Sequence, residues 1–123
     1  MQNVNAKPRA EFKSRLYMWV LRLIKFIDAL PKDSVSSVMS KQLVRSGTSV
    51  LANFVEAGSA SSKKDYTNFF TYALKSANES KVWLSLLKDS GKGEPREIAG
   101  LSNELTEIAN ILGSSIITLK GKR

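Results

Sequence analysis

Apolar residues recur at three- and four-residue steps through four stretches of the chain, a period that predicts four helices. In the first, Phe12, Leu16, Trp19, Leu23, Ile27 and Leu30 share one face. Tyr17, Leu21 and Ile24 extend the apolar surface round the helix, leaving a narrow strip to Arg15, Arg22, Lys25, Glu11 and Met18. A helix this apolar calls for cover on two sides. Its own core supplies one, and either a thick core or a partner subunit supplies the other. Tyr17, Leu21 and Ile24 are therefore candidates for an oligomer interface.

Pro31 ends the first helix and Lys32-Asp33-Ser34 forms the turn. In the second helix Met39, Leu43, Val44, Val50, Leu51 and Phe54 make the apolar face. The opposite side carries a polar stripe of Arg45, Ser49, Asn53 and Glu56, with Gln42 and Ser46 at its edge. Gly47 costs about 1 kcal/mol relative to alanine inside a helix and is tolerable where another backbone approaches closely. Gly58 is placed to end the helix in the left-handed conformation. Ser62 is placed to cap the third helix, and Asp65 complements its N-terminal dipole.

In the third helix Tyr66, Phe69, Tyr72, Ala73, Trp83, Leu84 and Leu87 cluster on one side, with Ser76 and Ser80 small enough there to permit close helix approach. Gly91, Gly93 and Pro95 make the last turn. In the fourth helix Ile98, Leu101, Leu105, Ile108, Leu112, Ile116 and Leu119 form a clean stripe, and Glu94, Glu97, Glu104 and Glu107 make its outer side acidic. The expected organisation is a flexible arm over residues 1–8, a bundle over 9–119 and a basic tail over 120–123. The helices fall at about 9–30, 35–57, 62–90 and 94–119. Long helices joined by short turns run antiparallel to their neighbours, so the fold class is all-α, an up-and-down antiparallel four-helix bundle.

Composition narrows the chemistry. The 123 residues suit one domain. The chain has no cysteine or histidine, which removes disulfides, thiolate metal sites and the commonest general base. A di-iron site of the bundle type needs histidine as well. No catalytic constellation stands out around Glu56, Asp65 and Glu79, so the expectation is a non-enzymatic protein with no metal and no cofactor. The N-terminus lacks the apolar run of a signal peptide, and no apolar run is long enough to span a bilayer, so a cytoplasmic location without membrane contact is expected.

The formal charge is +8, from 19 basic and 11 acidic residues. Such a balance either attracts nucleic acid or keeps the protein soluble. Basic residues concentrate in residues 1–30, in residues 61–93 and in the tail, whereas the fourth helix is acidic along its length. That predicts a basic side and an acidic side. Arg15, Arg22, Lys25, Lys63, Lys64, Lys120, Lys122 and Arg123 are the candidate nucleic-acid contacts. Trp19, Trp83, Tyr66 and Tyr72 are stackers by type, but at helical spacing among leucines they read as core.

The stripe of Arg45, Ser46, Ser49, Asn53 and Glu56, with Glu79 across the turn, admits three readings: a solvated face, a polar network at an interface, or a ligand site. Arg45 is placed to reach Glu79, and Glu56 to reach Lys64, if the second and third helices pair about the link between them.

The run VMSKQLVRSGTSVLANFVEA, followed by SKKDYTNFFTYALKSANESKVWLSLL, resembles the small four-helix proteins encoded in intervening sequences of bacterial 23S rRNA genes. The likeness rests on Arg45, Ser46, Ser49, Asn53 and Glu56 in the second helix, and on Asp65, Tyr66, Glu79, Trp83 and Leu84 in the third. A related subgroup has an acidic residue at the place of Ser76. The resemblance implies a ring, commonly a homopentamer. The accessory variability proteins of diversity-generating retroelements are similar in fold, and the ending at residues 109–114 is like theirs. That branch implies nucleic acid and a reverse transcriptase as partners. The expected function is weakly sequence-specific binding of RNA or DNA by a basic oligomer, and the alternative is a protein-interaction scaffold.

Overall fold

The structure, a computed structural model, describes residues 6–121. Four helices follow in order: α1 (Ala6–Asp28), α2 (Ser34–Ala57), α3 (Lys63–Asp89) and α4 (Pro95–Leu119). The described residues contain no strand. Helix α1 packs on α2, α2 on α3, α3 on α4, and α4 closes the ring back onto α1. Cross-helix partners run in opposite directions: Arg15 meets Glu104 while Arg22 meets Glu97, and Ser46 meets Ser80 while Phe54 meets Phe70. The arrangement is an antiparallel four-helix bundle.

Helix α1 begins at Ala6, so Pro8 lies inside its first turn. A proline there lacks only an N–H that has no partner within the helix. Residues 6–8 of the expected arm are thus helical. Residues 1–5, and Lys122 and Arg123 of the tail, lie outside the described residues.

The core takes Leu16, Trp19, Leu23 and Leu30 from α1, Leu43, Val50 and Phe54 from α2, Ala73, Leu84 and Leu87 from α3, and Ile98, Leu101, Leu105, Ile108 and Leu112 from α4. Full burial of each large aliphatic side chain contributes about 1.5–3 kcal/mol. Val20, Phe26, Phe70 and Ala77 are buried as well. Two positions assigned to apolar faces point outward instead. Val44 is exposed on α2, and Tyr72 is exposed on α3 with its ring edge-on to Phe69 at 5.9 Å.

Gly47 sits where a Cβ would collide with the Leu23 side chain and crowd the Trp19 ring at 3.4 Å. The close neighbours are side chains of α1, not another backbone. Gly93 adopts φ +83°, a left-handed turn that lays its backbone against Phe26 and Leu30. Gly58 departs from expectation: it stays right-handed at φ −63°. Its N–H donates to Val55 O at 3.0 Å, and its missing Cβ makes room for the Arg9 guanidinium.

At the far end Asp33 staples two turns. Its carboxylate accepts from Ser36 N at 2.8 Å, capping α2, and from Lys92 Nζ at 3.1 Å in the α3–α4 turn. The Ser36 N–H, then Lys92, hold its pKa down to about 2. A depressed carboxylate contributes its stability above the unfolded pKa, near 4, and loses it as pH falls toward the folded value. Asparagine at this position keeps the cap but not the charge. The gap in thermal midpoint between the parent and Asp33→Asn should therefore be widest above about pH 4 and close as pH falls to about 2. Circular dichroism melts across that range test it, and a gap independent of pH would rule it out.

Candidate functional site: the α2–α3 seam and the cationic end

The tightest seam is between α2 and α3, where Ser46 and Ser80 are both fully buried. Their hydroxyls are 2.7 Å apart, and Ser80 donates on to Ser76 O at 2.9 Å. Ser46 therefore belongs to the packed interior and not to the edge of an exposed stripe. The pairing lets the two backbones close without leaving a polar atom orphaned. No buried side-chain nitrogen or oxygen among the described residues lacks a partner.

Outside this pair Glu79 joins both helices. It accepts from Trp83 Nε1 at 3.0 Å and from Arg45 Nη2, while Arg45 also donates to Gln42 Oε1 at 2.9 Å. The Trp83 N–H, then the Arg45 cation, lower the pKa of Glu79. A carboxylate so held stays charged and is a poor proton acceptor at neutral pH. The rest of the stripe is turned onto its own helix: Ser49 Oγ donates to Arg45 O at 2.8 Å and Asn53 Nδ2 to Ser49 O at 2.9 Å. The Arg45–Glu79 approach occurs. No ion pair links Glu56 to Lys64 among the described residues.

The expected separation into a basic and an acidic side is replaced by a zipper. Helices α1 and α4 are neighbours, and their opposite charges meet. Arg15 grips Glu104 through Nε at 2.5 Å and Nη2 at 2.8 Å, and reaches Glu107 at 2.7 Å. Arg22 reaches Glu97 at 2.5 Å and lies against Gly100, where a Cβ would collide with it. Glu104 is lowered in pKa by Arg15. Arg15 and Arg22 are therefore matched inside the chain, whereas Lys25 on the same helix makes no ion pair among the described residues.

Three cations remain together. Antiparallel packing brings the start of α3 beside the end of α4, and there Lys63, Lys64 and Lys120 line a depression of about 450 Å³ with Thr67, Asn68 and Leu119. None of the three lysines has an ion pair among the described residues. Ser62 Oγ caps α3 by accepting from Asp65 N at 3.0 Å.

Arg9 donates through Nη2 to Phe54 O at 2.9 Å and through Nη1 to Tyr66 Oη at 3.1 Å, with its guanidinium 4.4 Å from the Phe54 ring centroid. Its partners are 45 and 57 residues away, so no local pattern marks it. Tyr17, Leu21 and Ile24 lie exposed on α1. Trp19 is buried, and Trp83 and Tyr66 pack partly buried against the core. No described helix is long and apolar enough to cross a membrane.

No curated protein matches the chain significantly. Among solved structures, a protein of unknown function from the S23 ribosomal protein family of Bacteroides thetaiotaomicron VPI-5482 is 34% identical, with a TM-score of 0.79 over 88% of this chain and 96% of that one. Residues 11–114 match the family described as 23S rRNA-intervening sequence protein, a span holding the whole α2–α3 seam and most of α1 and α4. The bundle, the seam and the extent of the match together place this chain in the 23S rRNA-intervening sequence protein family.

Proposed function

We propose that this protein binds nucleic acid through the phosphate backbone, as a ring of identical chains, and that it is a binding protein and not an enzyme. The observation that carries the reading is the cluster of Lys63, Lys64 and Lys120 around one depression, without ion pairs among the described residues. Lys63 and Lys64 open α3, where the helix dipole favours anions. Two cations there oppose the dipole by about 0.3–1 kcal/mol each. A phosphate at the same place would reverse that sign, since helix N-termini and lysines both attract it. A ring repeats the cluster about its axis, so weak contacts add through multivalency. The hydroxyls and the amide of the α2 stripe are directed at backbone carbonyls and at each other, which supports a structural role for them.

A salt titration of binding to duplex and single-stranded RNA and DNA tests the reading. Each phosphate neutralised contributes about 0.9 to the slope of log affinity against log salt on duplex and about 0.7 on single strands. Lys63→Ala, Lys64→Ala and Lys120→Ala together should flatten that slope by about two to three contacts' worth. The thermal midpoint should hold or rise, because two of the three changes relieve the α3 dipole. Arg15→Ala and Arg22→Ala should leave the slope nearly unchanged, since both cations already face carboxylates. Absence of binding to every probe at low salt would end this reading and leave a protein-interaction scaffold.

A further inference from the structure

Arg9 is a partly buried cation with no carboxylate partner among the described residues. Charges withdrawn from water are ordinarily paired. Its structural duty is plain: the Phe54 carbonyl lies in the last turn of α2, where helix geometry supplies no donor, and Arg9 caps it. That duty and the Tyr66 contact use two of the five N–H donors of a guanidinium. The remaining donors and the charge border a cavity of about 290 Å³ lined by Phe12, Tyr66, Phe70, Ile111 and Ser115. That size lies at the small end of ligand pockets, about 300–1,000 Å³. It suits one planar ring system and little more.

This pocket and the lysine depression are adjacent. Tyr66 lines one and Thr67 the other; Ser115 lines one and Leu119, a single turn along α4, the other. One turn of helix rises about 5.4 Å. The end of the bundle thus sets an aromatic slot edged by guanidinium donors beside three ammonium groups without ion pairs among the described residues. We infer that this end takes an unpaired nucleotide of a single strand, its base in the Phe12–Tyr66–Ile111 slot against Arg9 and its phosphates on Lys63, Lys64 and Lys120. The inference rests on the nucleic-acid reading above and narrows it to single strands. A base paired in a duplex has its faces stacked and is withdrawn from such a slot unless it is flipped out. Stacking accepts every base, because each has a π face, and the arginine donors suit ring nitrogens and carbonyl oxygens alike. The site therefore selects strandedness more than sequence.

The test compares three probes of equal length by fluorescence anisotropy: a single strand, the same strand with abasic positions, and a duplex. The unmodified protein is expected to bind the normal strand about tenfold more tightly than the abasic one, the effect of stacking a single base. Ser115→Phe, which fills the slot while leaving the partners of Arg9 in place, should abolish that difference and spare duplex binding and its salt slope. Lys63→Ala with Lys64→Ala should weaken all three probes together. The abasic comparison needs no variant, so it decides the matter even where Ser115→Phe unfolds the chain. Equal affinity for normal and abasic strands would overturn the slot and leave backbone binding intact. No binding to any probe at low salt would overturn both.

Discussion

Replacing Trp19 with alanine is expected to remove about 3–5 kcal/mol of stability, the cost of emptying a large buried aromatic site. Marginal stability makes that a large fraction of the whole, about 5–15 kcal/mol for an ordinary domain. The position is unusual for its neighbours on both sides. Toward α2 the ring lies over Gly47, where an added Cβ would stand 3.4 Å from it. Toward α4 its Nε1 donates to Leu101 O at 3.0 Å in a buried hydrogen bond. Among the described residues, the other polar links between α1 and α4 are the bridges of Arg15 and Arg22, which are partly solvated and worth at most about 1 kcal/mol each. Trp19 is thus the apolar wedge that spans from α2 to α4. Phenylalanine in its place keeps most of the wedge and drops the donor; the Leu101 carbonyl retains its helical partner, so that change should cost about 1–2 kcal/mol. Urea unfolding followed by circular dichroism measures both. An alanine variant within about 1 kcal/mol of the parent would show that α1 packs between α2 and α4 without the wedge.

Helix α4 was legible because one apolar stripe faces one acidic side, leaving a single phase for the helix. The extent of helix α3 was as legible, but its facing was only partly so, because aromatic residues at Tyr66, Phe69, Phe70 and Tyr72 surround it and admit more than one phase. The core took Phe70, Ala73 and Ala77, and turned Tyr72 out. Alanines carry little weight in an apolar pattern, yet here they set how closely α2 and α3 approach. The chemistry of Ser46 puts it with the polar stripe, and only the meeting with Ser80, 34 residues on, makes it interior. The pairing of Arg15 and Arg22 depends on which flank of α1 faces α4. That is a property of the turn direction of the bundle, which helical periodicity does not contain. Gly58 has a related explanation. A left-handed glycine cap serves to satisfy the last carbonyls, and here Arg9, from the other end of the sequence, satisfies Phe54 O instead.

The largest effect on assembly is expected from Leu21→Lys with Ile24→Lys, which should reduce the proposed ring to chains of 13.6 kDa. A ring joined head to tail needs two different surfaces on each chain, because the same patch meeting itself closes a dimer and stops. The described residues offer two. On α1, Tyr17, Leu21 and Ile24 are exposed at 54%, 42% and 38%, on the flank that continues into exposed Val44 and Val55 of α2. On the other flank of α2, Val35 and Val38 are exposed, as are Val82 and Leu86 of α3. The Ser46–Ser80 pair sets the register of that seam, and about two turns further along it brings Val38 and Leu86 into the same stretch. A lysine ammonium buried at a contact without a partner costs several kcal/mol, so two should weaken each contact by more than about a hundredfold. Val38→Lys with Leu86→Lys should disperse the ring equally well. Mixing the two variants separates the geometries. In a head-to-tail ring each variant keeps the surface the other has lost, so the mixture should form dimers joined by one intact contact. A self-paired α1 patch would instead let the Val38, Leu86 variant associate alone. Light scattering at micromolar concentration reads all of these states. A single-chain mass for the unmodified protein would dismiss the ring, and a mixture that stays monomeric would assign the contacts to other faces of the bundle.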